Sequence, residues 1–169
     1  METQSDKIST VLPGVTKEEY GEEYQEHLLE QYKLYLQLTD KISDRRSNTN
    51  TFFLTVNTGL VSAIGIANLA SLRLSPAIMI IVGVAAMTLC YSWHRIIRSY
   101  KDLNSAKFKV VHEIEKRLPL RPYDAEWEAV GRGEDKSFYL PFTHVEVFVP
   151  WIFTAIYLAL IVYALIKRS

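Results

Sequence analysis

Apolar positions along this chain fall into two unbroken blocks and two periodic stripes. The first block runs from Thr51 to Trp93 and contains a single formal charge, Arg73. It divides into two apolar segments of about 20 residues around Ser71-Leu72-Arg73-Leu74-Ser75, each long enough as a helix to cross a ~30 Å hydrocarbon layer. The second block, Val145–Ile166, has 22 residues and reaches about 33 Å as a helix. The pattern predicts a transmembrane helical hairpin at 51–93 and a third transmembrane helix at 145–169, tail included.

The stripes flank the first block. Tyr20, Tyr24, Leu28, Tyr32, Tyr35, Leu38 and Ile42 recur at steps of three and four, so residues 17–50 read as an amphipathic helix. Thr16 and Glu19 have the spacing of a capping box at its start. No proline falls between Pro13 and Pro76, so this helix is expected to run on into the first span. Beyond Trp93 the apolar positions continue through Ile97, Tyr100, Leu103, Val110, Val111, Ile114 and Leu118, and Pro119 should end that second helix. The two stripes are expected to pack on each other. The period is compatible with a coiled coil as well as with an ordinary helical pair. Residues 1–16 read as a loose lead. Asp124 to Val130 reads as a short helix closed by Gly131, within a region of helix and loop spanning 94–144.

The expected class is therefore an all-α membrane protein, its hairpin extended into long amphipathic helices. Composition alone hides this: 49% hydrophobic, 22% charged, net charge zero. Position reveals it, because the charges crowd outside the blocks. Residues 1–50 hold six Lys and Arg, the turn at 71–75 one, residues 94–144 ten and the tail two. Basic residues stay on the cytoplasmic side, so the N-terminal region and 94–144 are assigned inside and the turn outside. Three spans then put the C-terminus outside, against the pull of Lys167 and Arg168. The polar, acidic first 50 residues contain no apolar leader. The balanced charge gives nucleic-acid binding no electrostatic support.

Small residues at Gly59, Ala63, Ala67 and Ser71 form a ridge that lets another helix approach closely, in the same chain or in a second copy. Asn57 and Asn68 are amides in apolar surroundings. Each must face protein or water, so they are candidates both for helix-to-helix hydrogen bonds and for a pore lining. Leu28, Tyr35, Leu103 and Val110, with Gly59, Ala63 and Ala67, are the candidates for helix packing or oligomerisation. Cys90, the single cysteine, reads as a small hydrophobe. No catalytic residues, metal ligands or cofactor are assigned. His112 with Glu113 and Glu115, and the group Asp124, Glu126, Glu128, His144 and Glu146, read as solvated faces before they read as metal sites. Gly131-Arg132-Gly133 is too short to specify an anion site.

The phrases SYKDLNSAKFKVVHEIEKRLP, PYDAEWE and PFTHVEVFVPWIF, with KLYLQLTDKISDRRSNTNTFFLTVNTGLV before them, resemble the RipA-family octameric membrane proteins of bacteria. The resemblance covers about residues 30–155. It implies a homo-octamer in the cytoplasmic membrane, associated with host or stress adaptation and attached to no firm reaction. The architecture is also similar to that of SLATT-type membrane proteins, proposed as pore-forming effectors of bacterial conflict systems. The implied partners are the lipid bilayer and further copies of the chain. Two functions follow from different classes: a scaffolding oligomer with a cytoplasmic collar, or a pore lined by the first span.

Overall fold

The structure is a computed structural model that describes residues 4–70, 74–133 and 145–168. Among these residues it is helical without strands: α1 (Gln4–Val11), α2 (Lys17–Tyr20), α3 (Tyr24–Leu69), α4 (Pro76–Glu115), α5 (Pro122–Ala129), a 3-10 turn at Gly131–Gly133 and α6 (Val149–Arg168). The turn residues 71–73, His144 and the Asn68 side chain lie outside the described residues.

Element boundaries follow local chemistry. The Thr16 hydroxyl accepts from the Glu19 N–H, and the Glu19 carboxylate accepts from the Thr16 N–H, so the capping box forms. The expected single helix from Thr16 is nevertheless interrupted. Gly21 adopts φ 95°, a conformation open to glycine but not to helix, and α3 begins only at Tyr24. From there α3 continues unbroken to Leu69. The Ser75 hydroxyl accepts from the Ile78 N–H, which caps α4 ahead of Pro76. The end of α4 comes at Glu115, four residues before Pro119, where the Arg117 and Leu118 N–H groups reach only three residues back. The lead, expected to be loose, contains α1, and Leu12 beyond it packs on a buried cluster.

The chain divides into two compact units, and both draw on α3 and α4. The first comprises residues 4–44 and 101–133 of the described chain. At its centre Tyr32, Val111 and Ile114 are buried, with Leu28, Tyr35, Val110, Leu118 and Tyr123 around them. The Lys107 ammonium sits 4.7 Å from the centre of the Tyr35 ring, a cation–π contact that ties α4 to α3.

The second unit comprises residues 45–100 and 145–168. The Phe53 and Trp93 rings stack at 5.7 Å, joined by Ile97 and Phe153. A further layer places Ala86, Cys90 and Tyr157 together. The Trp93 indole N–H donates to the Asn50 side chain at 2.9 Å. Close helix approach occurs at Gly83, where a Cβ would stand 2.6 Å from Ile161. Gly59 has open space where its Cβ would be, so within one copy its ridge makes no such contact.

Three helices of the described chain are long and apolar enough to span a membrane. Their most apolar windows are only 11, 28 and 17% buried, and Phe52, Ile66, Ile81, Ile152 and Ile166 lie exposed. A surface of that kind requires lipid or other protein around it. The hydroxyls along it are satisfied locally: Thr55, Thr88, Ser92 and Thr154 each donate to the carbonyl four residues back.

Candidate functional site

Among the described residues, each unit holds a fully buried polar side chain that bonds other elements. In the second it is Asn57, fully buried on α3. Its amide nitrogen donates to the Phe53 carbonyl at 2.8 Å, one turn back on its own helix. Its side-chain oxygen accepts from the Tyr157 hydroxyl of α6 at 3.0 Å and from the Cys90 thiol of α4 at 3.3 Å. One amide thus joins three helices. An amide in an apolar segment needs such partners, because no water is at hand to replace them.

In the first unit the centre is Glu115, also fully buried. The Tyr32 hydroxyl donates to it at 2.8 Å, and the backbone N–H groups of Tyr123 and Asp124 donate at 3.0 and 3.1 Å. Those two N–H groups belong to the first turn of α5, whose N-cap residue Arg121 supplies no side-chain bond. A helix start leaves such donors unpaired and favours a negative charge beside it. Glu115 is therefore the cap of α5, delivered from another helix. Burial, the hydrogen bond to Glu115 and its charge all push the Tyr32 phenol well above its ordinary range. Burial, followed by the charges of Asp40, Glu126 and Glu115, raises the Tyr123 phenol as well.

The groups that suggested chemistry in the sequence find structural partners. Arg132, in the left-handed region at φ 51°, pairs with Glu128 and lies 3.6 Å from Asp124, so the Gly-Arg-Gly segment is tied to α5. His112 Nδ1 stands 3.7 Å from Asp124 and 4.0 Å from Glu115. Glu113 pairs with Lys116 at 2.5 Å. Glu146 lies 3.8 Å from Arg46, just before α6. No group of three or more potential metal ligands comes together among the described residues.

The packing candidates divide. Leu28, Tyr35 and Val110 join the core of the first unit, whereas Leu103 stays 46% exposed. Gly59 and Ala63 are exposed and Ala67 is half-buried. Asn57, offered both for helix bonding and for a pore lining, faces no opening within one copy. Glu115 escaped notice as a cap. Its signal was present: it stands four residues after Val111, a charge at a position where the stripe calls for an apolar side chain.

These features define an α-helical protein with three candidate membrane spans among the described residues. The chain matches the model of the octameric membrane protein family (8xMP) over residues 29–166, and it belongs to that family. It is thus a membrane protein that self-associates, and the family's defining property points to a structural role rather than catalysis. No curated protein and no solved structure gives a significant match.

Three outcomes follow from these centres. Asn57→Leu removes the side-chain acceptor of Tyr157 and Cys90 and leaves the buried Tyr157 hydroxyl only its longer 3.3 Å bond to the backbone carbonyl of residue 57, a loss of about 0.5–1.5 kcal/mol. Thermal unfolding in mild detergent will register the loss, and Asn57→Asp will not restore full stability. Glu115→Leu strands three donors and should cost more than about 3 kcal/mol, with trypsin cutting at Arg117, just ahead of α5, sooner than in the parent chain. The neutral Tyr32 phenol is favoured by folding, so its stabilisation is complete below the ordinary tyrosine pKa of about 10 and is lost as the pH rises through its higher folded value. In an alkaline titration of phenolate absorbance, Tyr32→Phe should remove one tyrosine from the late-ionising component.

Proposed function

We propose that the chain is the subunit of a scaffolding homo-oligomer of the bacterial cytoplasmic membrane. Residues 51–93 form the anchoring hairpin and 145–169 the third span with its short tail. Residues 17–50 and 94–144 stand on the cytoplasmic side and build a collar. The segregation of basic residues supports this orientation. The RipA resemblance extends the reading to stress or host adaptation.

The observation that carries the scaffolding reading is the Asn57 centre. The deeply buried amide of the apolar segments bonds α4 and α6 instead of facing a conduit. Glu115 plays the corresponding part in the other unit, where its carboxylate caps a helix. A pore lined by the first span has less support, since Asn57 was one of its two candidate residues.

Purified full-length protein in mild detergent should give a native mass eight times its 19.4 kDa chain. Vesicles holding it at high density and loaded with an ion-sensitive dye should stay silent. A steady leak that Asn57→Leu alters would replace the scaffold with a conduit.

A further inference from the structure

Among its described residues the first unit leaves one apolar flank uncovered, and we infer that a second copy of the chain covers it through Leu34 and Leu38 of α3 and Leu103 of α4. This rests on the membrane-oligomer reading above and adds the face by which the copies meet.

The three leucines are 54, 52 and 46% exposed. They share a flank. Tyr32, Tyr35 and Thr39 mark the side of α3 that faces inward, and Val111 and Ile114 mark that side of α4. At ~100° per residue, Leu34 and Leu38 lie roughly 90–130° round from the inward side of α3, and Leu103 roughly 50° round from that of α4, both in the same rotational sense. Contacts between Tyr32 and Glu115, and between Tyr35 and Lys107, make the two helices antiparallel here and bring Leu38 level with the turn of Leu103. In an antiparallel pair, equal sense means the same flank.

The opposite flank is occupied. Phe108 and His112 lie in the other sense on α4, and both touch α5: Phe108 through the Tyr123 ring at 5.8 Å, His112 through Asp124. The far end of the free flank is also taken, by the chain itself. Leu12–Val15 line a half-open groove of about 200 Å³ there together with Tyr24, Gln31 and Arg117. Among the described residues, the stretch from Leu34 to Leu103 stays open.

Several observations identify the occupant as a second copy. The flank belongs to the charged part of the sequence, with Glu30, Lys41 and Asp102 exposed beside it, so hydrocarbon does not cover it. These rim charges have both signs, so identical copies can approach without like-charge repulsion. The open stretch falls inside residues 29–166, which carry the match to an octameric family, whereas Leu12–Val15 precede it. A charged residue buried at a subunit contact without a partner is strongly unfavourable.

The test uses the full-length chain in mild detergent. Wild type should show the octameric mass, Leu34→Glu with Leu38→Glu should fall to monomers or dimers at equal concentration, and Leu29→Glu, at an exposed leucine on the opposite flank, should keep the octamer. Helical circular dichroism checks that the double variant is folded. A photo-crosslinking residue at position 38 reads the contact without breaking it: a covalent dimer of the chain is expected there and none from position 29. An octameric double variant overturns the proposal, as does a crosslink at position 38 that joins lipid, another protein or nothing. A wild type that never reaches the octameric mass would instead remove the oligomer reading on which the proposal rests.

Discussion

A polar group in hydrocarbon has to find its partner inside the protein, and much of this structure follows from that constraint. The hydroxyls of the apolar helices fold back onto their own carbonyls and so need nothing from a neighbour. An asparagine side chain has more capacity than its own helix can fill. Asn57 uses its N–H group locally and turns its oxygen toward Cys90 and Tyr157. A polar contact that joins three helices therefore sits among apolar side chains. Apolar stacking of Phe53 and Trp93 and the close approach at Gly83 supply the rest of the fit.

The first unit obeys a related rule with a charge in place of an amide. Glu115 lies where its stripe would place an aliphatic residue, and the penalty of burying it is met by three donors, two of them at a helix start. The short α5 thereby gains a cap that its own sequence does not supply. Burial of Glu115, docking of α5 and the inward position of Tyr32 are one arrangement seen from three sides.

Much of the architecture was legible beforehand because hydrophobic periodicity and block length report directly on helices and spans. The three apolar helices, the capping box at Thr16 and the cap at Ser75 are local or cumulative signals. The break at Gly21 was missed because the apolar steps continue through it, while the chain uses glycine's freedom to stop α2 and restart at Tyr24. Which amide bonds which helix was not legible, since Asn57 and Tyr157 are brought together only by tertiary packing. Leu103 was placed in the internal stripe, although it lies at its margin and remains exposed. Periodicity assigns a side chain to a broad face and does not resolve the edge of that face from its centre.

The separation of Asn57 from its strongest partner bears on how the protein is made. Tyr157 follows Asn57 by 100 residues. While synthesis proceeds, α3 and α4 are complete and the Asn57 side chain has only its own helix and a weak thiol donor to bond. The arrival of α6 finishes the set. A chain that halts before α6 carries an under-bonded amide among its apolar helices, so the last helix to be made is the one that completes the polar bonding of the first span.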